Sequence, residues 1–578
     1  MTGGLGTRRE GLARLAGGRF DVLVIGGGIT GAGVALEAAA RGLSVALVEQ
    51  QDFAEGTSSR STKLIHGGLR YLPMLDIAQV REDLEERGLL LRNAPHLVRP
   101  LPFVLPLYAG ARRPLGLRLP ALLRPLLPAG IACGLWAYDV LAGRPVPRAA
   151  SADRGAGLPR HRRLARDALA ALAPHLRLEG LRRAYLYYDA VTDDARLAIT
   201  VLRTAARRGA VAVNYVRAEA LVTEGGRVAG ARARDVLSGT RFTVAAGTTV
   251  NATGVWAESV AALAGPPAFR VRRAKGVHLV VARARLPLAR TGVVLPETDD
   301  GRLAFLVPWQ GAVLLGTTDT EWTGPPDAPP ACDADAAYLL EHASRFLDVR
   351  LARDDLLGAY AGLRPLVSPA RSGAASARLS RRHVVVPSPA GLVTVVGGKL
   401  TTYRRMAEDV MRCVASPARA APSVTRTLPL EGAEGLADAL PGLRARARAL
   451  GVSRRTLVHL VRSYGTGSAA ILDLIADRPS LGEPLAPGCP HVAAEAVAAV
   501  RDEMAVTIAD VLMRRTRLAH LLPRQGREIA GRVAALVAGE LGWSREVQAD
   551  AVDRYARAAA SLVAPGEASS YSGAGGPW

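Results

Sequence analysis

The chain has 578 residues, of which 49% are hydrophobic and 22% are charged. That length exceeds one ordinary hydrophobic core, so two or three domains are expected, and the composition excludes a largely disordered chain. The four cysteines are widely spaced and form no CxxC pair. This spacing argues against a disulfide scaffold, a zinc site or an iron–sulfur cluster. We therefore expect a globular protein of a reducing compartment, without a metal centre.

The formal net charge is +22 and the sequence pI is about 10.7. The basic residues are spread over the whole chain, and no zinc-finger, RNA-recognition or helix-turn-helix pattern accompanies them, so nucleic acid is not the expected partner. The N-terminus lacks an apolar run of signal-peptide length, and no stretch reaches the roughly 20 apolar residues of a membrane span. We expect a cytoplasmic protein whose positive charge favours contact with an anionic membrane.

The first predicted elements lie between Phe20 and Gln50. Val22–Ile25 has the apolar composition of a buried strand, Ile29–Arg41 is Ala-rich and helical, and Ser44–Val48 predicts a second strand. A strand, a glycine-rich turn, a helix and a strand are the context that a dinucleotide-binding fingerprint requires.

The glycines of that turn have separate roles. Gly26 permits the tight turn, Gly28 lets a pyrophosphate approach the backbone, and Gly31 lets the helix pack against the sheet. The helix N-terminus offers unpaired N–H groups to phosphates, and the carboxylate at the end of the second strand can accept ribose hydroxyls. The predicted cofactor contacts here are Gly26, Gly28, Ile29, Thr30, Gly31 and Glu49.

Two apolar segments follow in chain order. "GARRPLGLRLPALLRPLLP" at 110–128 mixes leucines with four arginines, and its prolines prevent one long helix. It either lies on an anionic membrane, with buried leucines and snorkelling arginines, or covers a domain internally. "PLLPAGIACGLWAYDVLAG" at 125–143 comes nearest to a membrane span, but two prolines and an aspartate favour packing inside a domain.

The choice between FAD and NAD depends on later elements, because the fingerprint suits both. "TTVNATGVWA" at 248–257 is a β-run that ends in Ala252, Thr253 and Gly254. "GLVTVVGGKLTTYRRMAEDVMRCV" at 391–414 predicts a strand, a glycine pair and a helix. A ligand that contacts the start, middle and end of the chain favours extended FAD over NAD, whose sites are usually built from one contiguous domain.

Two further motifs make the pattern specific. These are "GTSSRSTKLIHGGLRYL" at 56–72 and "GGKLTTYR" at 397–404, and with them the chain closely resembles the FAD-dependent glycerol-3-phosphate dehydrogenases. The resemblance runs from about Phe20 to Leu428, with a weaker helical continuation. Other matching stretches are "DARLAITVL", "NATGVW", "AKGVHLVV", "FLVPW", "LLGTTDTEW" and "YAGLRPL".

The lysines support this interpretation. Only three of the 74 basic residues are lysines, namely Lys63, Lys275 and Lys399, and all three fall inside the family motifs. A compact ammonium and a wide guanidinium are not interchangeable. A lysine kept in an arginine-rich chain therefore marks a position where the smaller cation is required.

The resemblance implies an activity and an architecture. The activity is oxidation of sn-glycerol 3-phosphate to dihydroxyacetone phosphate, with electrons passed through non-covalent FAD to a membrane quinone. The implied fold is an α/β FAD-binding domain of the Rossmann-like, glutathione-reductase and amino-acid-oxidase type, an interleaved β-rich capping domain and a helical C-terminal domain. The expected segments are 20–100, 193–260 and 376–425 for FAD; 101–192 and 261–375 for the cap; 426–565 for the helices; and 566–578 for a disordered tail.

The resemblance also implies site residues. Convergent cations suit the substrate phosphate, and a histidine has the ordinary pKa of a general base, with the choice between two histidines left open. The implied substrate contacts are Arg70, Tyr71, Arg364, Arg381 and Lys399, and the implied catalytic residues are His66, His278, Arg364 and Lys399. Further implied FAD contacts are Thr57, Ser58, Ser59, Thr62, Lys63, Gly398, Lys399, Leu400, Thr401 and Thr402.

Three alternatives stay open. The first is a soluble oxidase of the same family that uses oxygen, although the stretch between Lys275 and Trp309 leaves no room for the additional segment of those relatives. The second is an amine or amino-acid oxidase, which would not need the cationic cluster. The third is a basic, non-catalytic flavoprotein that binds membrane or nucleic acid. The resemblance implies a peripheral location on the inner face of the cell membrane, and the sequence leaves the quinone and the oligomeric state open, a homodimer included.

Overall fold

A computed structural model describes residues 4–109, 125–143, 158–288, 290–299, 301–327, 329–369, 382–414 and 421–566. The strands are β1 (Arg19–Ile25), β2 (Val45–Val48), β3 (Leu64–Ile65), β4 (Arg99–Tyr108), β5 (Arg162–Arg163), β6 (Leu181–Val191), β7 (Val211–Val213), β8 (Val216–Glu224), β9 (Arg227–Asp235), β10 (Arg241–Asn251), β11 (Phe269–Ala282), β12 (Gly292–Leu295), β13 (Ala304–Trp309), β14 (Ala312–Gly316), β15 (Thr320–Trp322), β16 (Leu356–Pro369), β17 (Val384–Pro387) and β18 (Val393–Val396).

The helices are α1 (Arg8–Gly17), α2 (Ile29–Ala40), α3 (Ile77–Asn93), α4 (Leu127–Leu141), α5 (Arg166–Leu172), α6 (Asp194–Ala206), α7 (Ala257–Ala261), α8 (Asp333–Ser344), α9 (Tyr403–Met411), α10 (Leu436–Ala449), α11 (Arg454–Tyr464), α12 (Ser468–Asp477), α13 (Ala493–Glu503), α14 (Leu518–Leu521), α15 (Ala530–Leu541) and α16 (Arg545–Ala559). Between α13 and α14, Asp510–Arg515 forms a π-helix.

The first sheet has eight strands in the order β17-β18-β10-β1-β2-β7, with β9 and β8 added as an antiparallel extension of β10. Strands β18, β10, β1, β2 and β7 are parallel. The apolar runs of β1 and β2 are buried, as strands covered on both faces require. This sheet draws its strands from three separate parts of the chain, and their carboxyl ends form one edge.

Helix α2 covers one face of that sheet and packs against α6 and α9. Its small side chains allow close approach: a Cβ on Gly33 would lie 2.7 Å from the ring of Tyr403 in α9. The strands and helices predicted at 22–48 and 391–414 are confirmed, with boundaries shifted by a few residues.

The second sheet has ten strands in the order β15-β11-β14-β13-β12-β4-β6-β3, with β16 paired to β11 and β5 to β6. Strands β11 and β16 run antiparallel over most of their length. The C-terminal helices share a hydrophobic core with this sheet. The helical part of the chain is therefore packed against the second sheet and is not a detached unit. The domain boundaries expected from the sequence stay a prediction.

Buried charged side chains join the two sheets to the C-terminal helices. Arg515 donates to both carboxylate oxygens of Asp52 at 2.5 and 2.9 Å, and Arg203 donates to Glu503 at 2.8 Å. We call this group the buried charge cluster. Its members are Asp52, Lys63, Asp194, Arg196, Arg203, Glu503, Arg514, Arg515 and Arg517.

The apolar segment at 125–143 differs from its prediction. Helix α4 buries Ile131, Leu135 and Tyr138, but Trp136 and Val140 on its other side are 60% and 55% exposed. The segment therefore packs against the domain with one face, and its other face is exposed to solvent. Most of the segment at 110–128, with its four arginines, lies outside the described residues, as does nearly all of the predicted disordered tail.

Candidate active site

A cleft of about 1230 Å³ opens at the carboxyl ends of β1, β2, β10 and β18. The residues that follow these strands line it, because parallel strands end at the same edge of a sheet. Ligands of open α/β sheets bind at this edge.

The glycine turn after β1 forms one wall of the cleft. Gly26 has φ +112°, and Gly28 is the N-cap of α2. A Cβ on Gly31 would lie 1.9 Å from the carbonyl oxygen of Gly26, so only glycine lets α2 begin this close to β1. The Ile29 N–H donates to Ser58 Oγ at 2.9 Å. The start of α2 thus presents backbone donors and a hydroxyl to the cleft, as a pyrophosphate requires.

Glu49 ends β2 and lies across the cleft from that turn. Its carboxylate accepts the N–H groups of Gly27 at 2.6 Å and Gln51 at 2.9 Å. Burial raises the pKa of Glu49 to about 7, even though these two hydrogen bonds lower it. A partly buried carboxylate next to the dinucleotide turn is placed to accept hydrogen bonds from ribose hydroxyls.

Most predicted cofactor residues line this cleft. They are Gly26, Gly28, Ile29, Thr30, Glu49, Thr57, Ser58, Ala252, Thr253, Gly254, Gly398, Lys399 and Leu400. Three distant segments meet here, and with the helix N-terminus and the carboxyl group they fit an extended FAD. FAD would supply hydride acceptance at this site.

The remaining predicted cofactor residues lie elsewhere. The Lys63 ammonium is fully buried and donates to Asp194 Oδ2 and to the Ser59 carbonyl, both at 2.8 Å. The Lys63 side chain does not line the cleft, because its ammonium is paired inside the buried charge cluster, and its predicted FAD contact stays a prediction. Ser59 and Thr402 are buried outside the cleft, and Gly31 serves helix packing. Thr62 and Thr401 line a second cavity.

That second cavity, of about 1850 Å³, lies between the cleft and the second sheet. It shares Thr57, Ser61, Pro365 and the Gly398–Leu400 turn with the cleft. A ligand in this cavity therefore lies next to a cofactor in the cleft. The predicted substrate and catalytic residues that line it are His66, Tyr71, His278, Arg364 and Lys399.

Lys399 is held at the boundary of the two cavities. Its ammonium donates to Asp83 Oδ2 at 2.5 Å and lies 4.2 Å from the centre of the Tyr71 ring. Asp83 is fully buried in α3, and its other oxygen accepts from Gln79 at 2.8 Å. A buried carboxylate and a ring fix the ammonium in a space that suits a compact cation.

Arg364 enters the second cavity from β16. Its guanidinium donates to Asp319 Oδ1 at 3.1 Å and to Thr317 Oγ1 at 3.2 Å, and its side chain is partly exposed. It therefore faces the cavity as an oriented cation. The structure does not describe Arg381 or the side chain of Arg70, so both predicted contacts lie outside the described residues.

Both predicted histidines are uncharged at neutral pH; His278 is buried and His66 is partly buried. Burial lowers the pKa of His66, and burial also holds the pKa of His278 well below its ordinary value, with Lys63 and Arg364 adding to the effect. The Gly68 N–H donates to His66 Nδ1 at 3.1 Å, which places the proton of the neutral ring on Nε2. His278 Nε2 lies 2.9 Å from Thr62 Oγ1, and its ring stacks on Tyr360.

Two buried acids of the site were missed by the sequence interpretation. One is Asp83, the partner of Lys399. The other is Asp189, which accepts from Arg87, Tyr138 and the Gly67 N–H beside His66. The sequence held a signal for Asp83, since it lies on the same side of α3 as the buried Val80 and Arg87. An acid on a buried helix face needs a partner.

Comparison with known proteins assigns this arrangement to a class. Residues 21–404 match the family described as FAD dependent oxidoreductase, and residues 423–548 match the C-terminal domain of alpha-glycerophosphate oxidase. The fold and the cleft define a FAD-dependent oxidoreductase, and the predicted fold class is confirmed.

Full-length relatives are more specific. A glycerol-3-phosphate dehydrogenase of Mycobacterium leprae is 40% identical over 532 residues, which are 91% of this chain and 86% of the relative. A mitochondrial one of Homo sapiens is 38% identical over 550 residues, with coverage of 91% and 71%. The structure of the glycerol-3-phosphate dehydrogenase from Bacillus halodurans complexed with FAD gives a TM-score of 0.78 at 28% identity, covering 98% of this chain and 99% of that one. The chain belongs to the FAD-dependent glycerol-3-phosphate dehydrogenase family, and its cofactor is FAD.

The pKa of Glu49, about 7, predicts pH-dependent FAD binding. Ribose hydroxyls donate best to the ionised carboxylate, so binding lowers this pKa and releases a proton. We expect the affinity of FAD-free protein for FAD to rise roughly tenfold from about pH 6 to about pH 8. Fluorescence titration with FAD measures this. Glu49→Gln should bind weakly at every pH, while Glu224→Gln, an exposed control, should behave as the native protein. A pH-independent affinity of the native protein would contradict the assignment.

Proposed function

We propose that the chain oxidises sn-glycerol 3-phosphate to dihydroxyacetone phosphate and passes the electrons to a membrane quinone. One observation carries the proposal: two oriented cations, Lys399 and Arg364, share a cavity with two uncharged histidines at the mouth of the FAD cleft. A phosphate dianion that carries a secondary alcohol needs both kinds of group.

The cations suit the phosphate. The Lys399 ammonium is paired with Asp83, and the Arg364 guanidinium contacts Asp319. Both side chains line the second cavity, and charge-assisted hydrogen bonds to phosphate are among the stronger contacts that a protein makes. We propose that Tyr71 supports the Lys399 side of this site, together with Arg70 and Arg381 as the sequence predicts.

The histidines suit the alcohol. His66 carries its proton on Nε2 while Gly68 donates to Nδ1, so in this state the ring donates to a substrate oxygen. His278 Nε2 faces Thr62 Oγ1 and can receive a proton through that hydroxyl. We therefore propose that His66 and Arg364 hold the oxygen as charge develops, and the proton acceptor stays open between the two histidines.

The acceptor distinguishes the proposal from an oxygen-using oxidase. The C-terminal match is named for an oxidase, whereas the full-length relatives are named dehydrogenases. The full-length similarity covers both the cleft and the second cavity, so we favour the dehydrogenase and its quinone.

An exposed apolar surface supports a membrane location. The 3-10 helix Leu69–Met74 packs against α3 and α4, and large apolar side chains are exposed on these neighbouring elements. We call them the apolar surface: Met74, Leu75, Ile77, Leu126, Trp136 and Val140. Surfaces of this kind mark partner or membrane contacts. None of the helices that the structure describes has the length and apolar composition needed to traverse a bilayer.

The direct test uses purified FAD-loaded protein. We expect glycerol 3-phosphate, but not glycerol, to bleach the flavin under anaerobic conditions, because the cations select for phosphate. Turnover should be fast with a soluble quinone and slow with oxygen. Stopped-flow absorbance and oxygen consumption measure the two arms. Equal rates with quinone and oxygen would favour the oxidase, and an unbleached flavin would reject the substrate.

Lys399 offers a sharper test. Lys399→Arg should lower kcat/KM for glycerol 3-phosphate roughly ten- to a hundredfold, nearly as much as Lys399→Met, because the wider guanidinium does not fit between Asp83 and Tyr71. FAD absorbance should be retained. Lys275→Arg makes the same change in a buried pair that lines neither cavity, and it reports the packing cost alone. Near-full activity of Lys399→Arg would show that the cavity accepts either cation.

The apolar surface predicts vesicle binding. The double change Trp136→Ser and Val140→Ser should weaken flotation with phosphatidylglycerol vesicles about tenfold or more, because each side chain would lose burial among lipids. Leu237→Ser, at a residue 52% exposed beyond the first sheet, is the matched control. If the double variant floats as well as the control, this surface does not contact the membrane.

A further inference from the structure

A third cavity, of about 1370 Å³, lies where the C-terminal helices meet the loop that follows β2. The loop contributes Gln51, Glu55 and Arg60. The first two also line the FAD cleft, and Arg60 also lines the second cavity. This third cavity therefore adjoins both parts of the active site without being part of either.

One side of the third cavity is apolar. Ile508, Met513, Tyr555 and Leu562 line it and are buried, and Trp543 is half-buried. The Tyr555 hydroxyl already donates to the Gln525 carbonyl, so this tyrosine offers apolar ring surface to a ligand. The hydrocarbon part of a ligand could pack against these apolar side chains.

The π-helix Asp510–Arg515 forms part of the same wall through Met513 and Arg514. Such helices are rare and occur frequently at functional sites. Arg514 in this helix is paired with two carboxylates, Asp52 at 2.5 Å and Glu55 at 2.5 Å. The wall is thus built around a fixed, neutralised arginine and does not itself supply a free cation.

Arg60 is a second largely buried cation of this cavity. Its nearest carboxylate oxygen, on Glu55, is 3.7 Å away, and the structure shows no hydrogen bond from its guanidinium to any described residue. Its side chain is only 20% exposed. Burial lowers the pKa of Arg60; Glu55 and Asp327 oppose this, while Arg514 and Arg517 add to it, so the two carboxylates do not fully compensate the buried guanidinium. A largely buried guanidinium that makes no hydrogen bond to the described residues favours the binding of an anion.

The charges around the cavity define that anion. Arg554 and Arg557 are exposed and line the cavity as well, while Glu55 and Asp327 supply its carboxylates. Of the three guanidinium groups only Arg60 is largely buried, and with Glu55 beside it this position suits a single negative charge better than a dianion. A carboxylate matches the planar guanidinium in two parallel hydrogen bonds.

We propose that the third cavity is a binding site for a carboxylate with a hydrocarbon body, of the fatty-acid type. Its head pairs with Arg60 and its chain lies along Ile508, Met513 and Leu562. Because Arg60 also lines the second cavity, an anion paired with it removes positive potential that attracts a phosphate dianion. The ligand therefore weakens the binding of glycerol 3-phosphate, and the substrate weakens the binding of the ligand by the same factor. This coupling rests on the proposed function, whereas the site itself does not.

Calorimetric titration of the FAD-loaded protein with decanoate, below its micellar range, tests the site. Decan-1-ol has the same body without the charge, and acetate has the charge without the body. We expect decanoate to bind at least about tenfold more tightly than either, since a charge-assisted hydrogen bond adds to apolar burial. Equal binding of decanoate and decan-1-ol would overturn the site.

Three variants locate the binding. Arg60→Gln should weaken decanoate about tenfold or more and leave decan-1-ol unchanged. Ala558→Phe, which adds a ring at a residue that lines the cavity, should weaken both. Arg532→Gln, exposed on the same helices but away from the cavity, should change neither. Native decanoate affinity in both Arg60→Gln and Ala558→Phe would overturn the site even if one of them folded poorly.

A separate kinetic experiment tests the coupling between the ligand and the substrate. Decanoate should raise the KM for glycerol 3-phosphate in the native protein without lowering kcat, and decan-1-ol should not. An unchanged KM at saturating decanoate would overturn the coupling. A protein that binds decanoate through Arg60 but does not oxidise glycerol 3-phosphate would refute the proposed function and leave the site standing.

Discussion

The buried charge cluster is the constraint on which the rest of the structure depends. Asp52 follows β2, Asp194 begins α6, and Glu503 ends α13, so the cluster ties the first sheet to the C-terminal helices. Removing one partner of a buried pair costs about 3–5 kcal/mol, because the other charge is left without compensation. The cluster thereby fixes the loop 51–60. That loop contributes to all three cavities, so their positions relative to one another follow from these pairs.

The three lysines share one environment. Lys63, Lys275 and Lys399 each donate to one buried carboxylate, at 2.8, 2.7 and 2.5 Å. Each ammonium also lies over an aromatic ring, at 4.6 Å from Tyr360, 5.5 Å from Trp322 and 4.2 Å from Tyr71. A guanidinium would need more acceptors and more width than one carboxylate and one ring provide. Retention of lysine in this chain therefore reports a confined space, and of the three only Lys399 lines the cleft and the second cavity.

The sequence predicted the local elements of the site well, because glycine turns and apolar runs are local features. The turn at Gly26, the strand that ends at Glu49 and the helix after Lys399 all appear where the pattern placed them. The sequence did not predict the ion-pair partners of the lysines, because these partners are distant in the chain. Lys63 stands beside cleft residues in the chain, yet Asp194 draws its ammonium away. Asp83, more than 300 positions from Lys399, could not be paired with it from local spacing.

The first sheet has a further consequence through the order in which its strands are made. β1 and β2 leave the ribosome first, but β18 and the Gly397–Lys399 turn, which close the cleft, come only near residue 400. Arg515, which neutralises Asp52 beside the cleft, comes more than a hundred residues later still. The early half of the chain therefore exposes an unfinished sheet edge and a buried acid without its partner. Cofactor capture must therefore await synthesis of about residue 400, and we expect a chain truncated before Arg515 to be more open to proteolysis, because Asp52 lacks its partner.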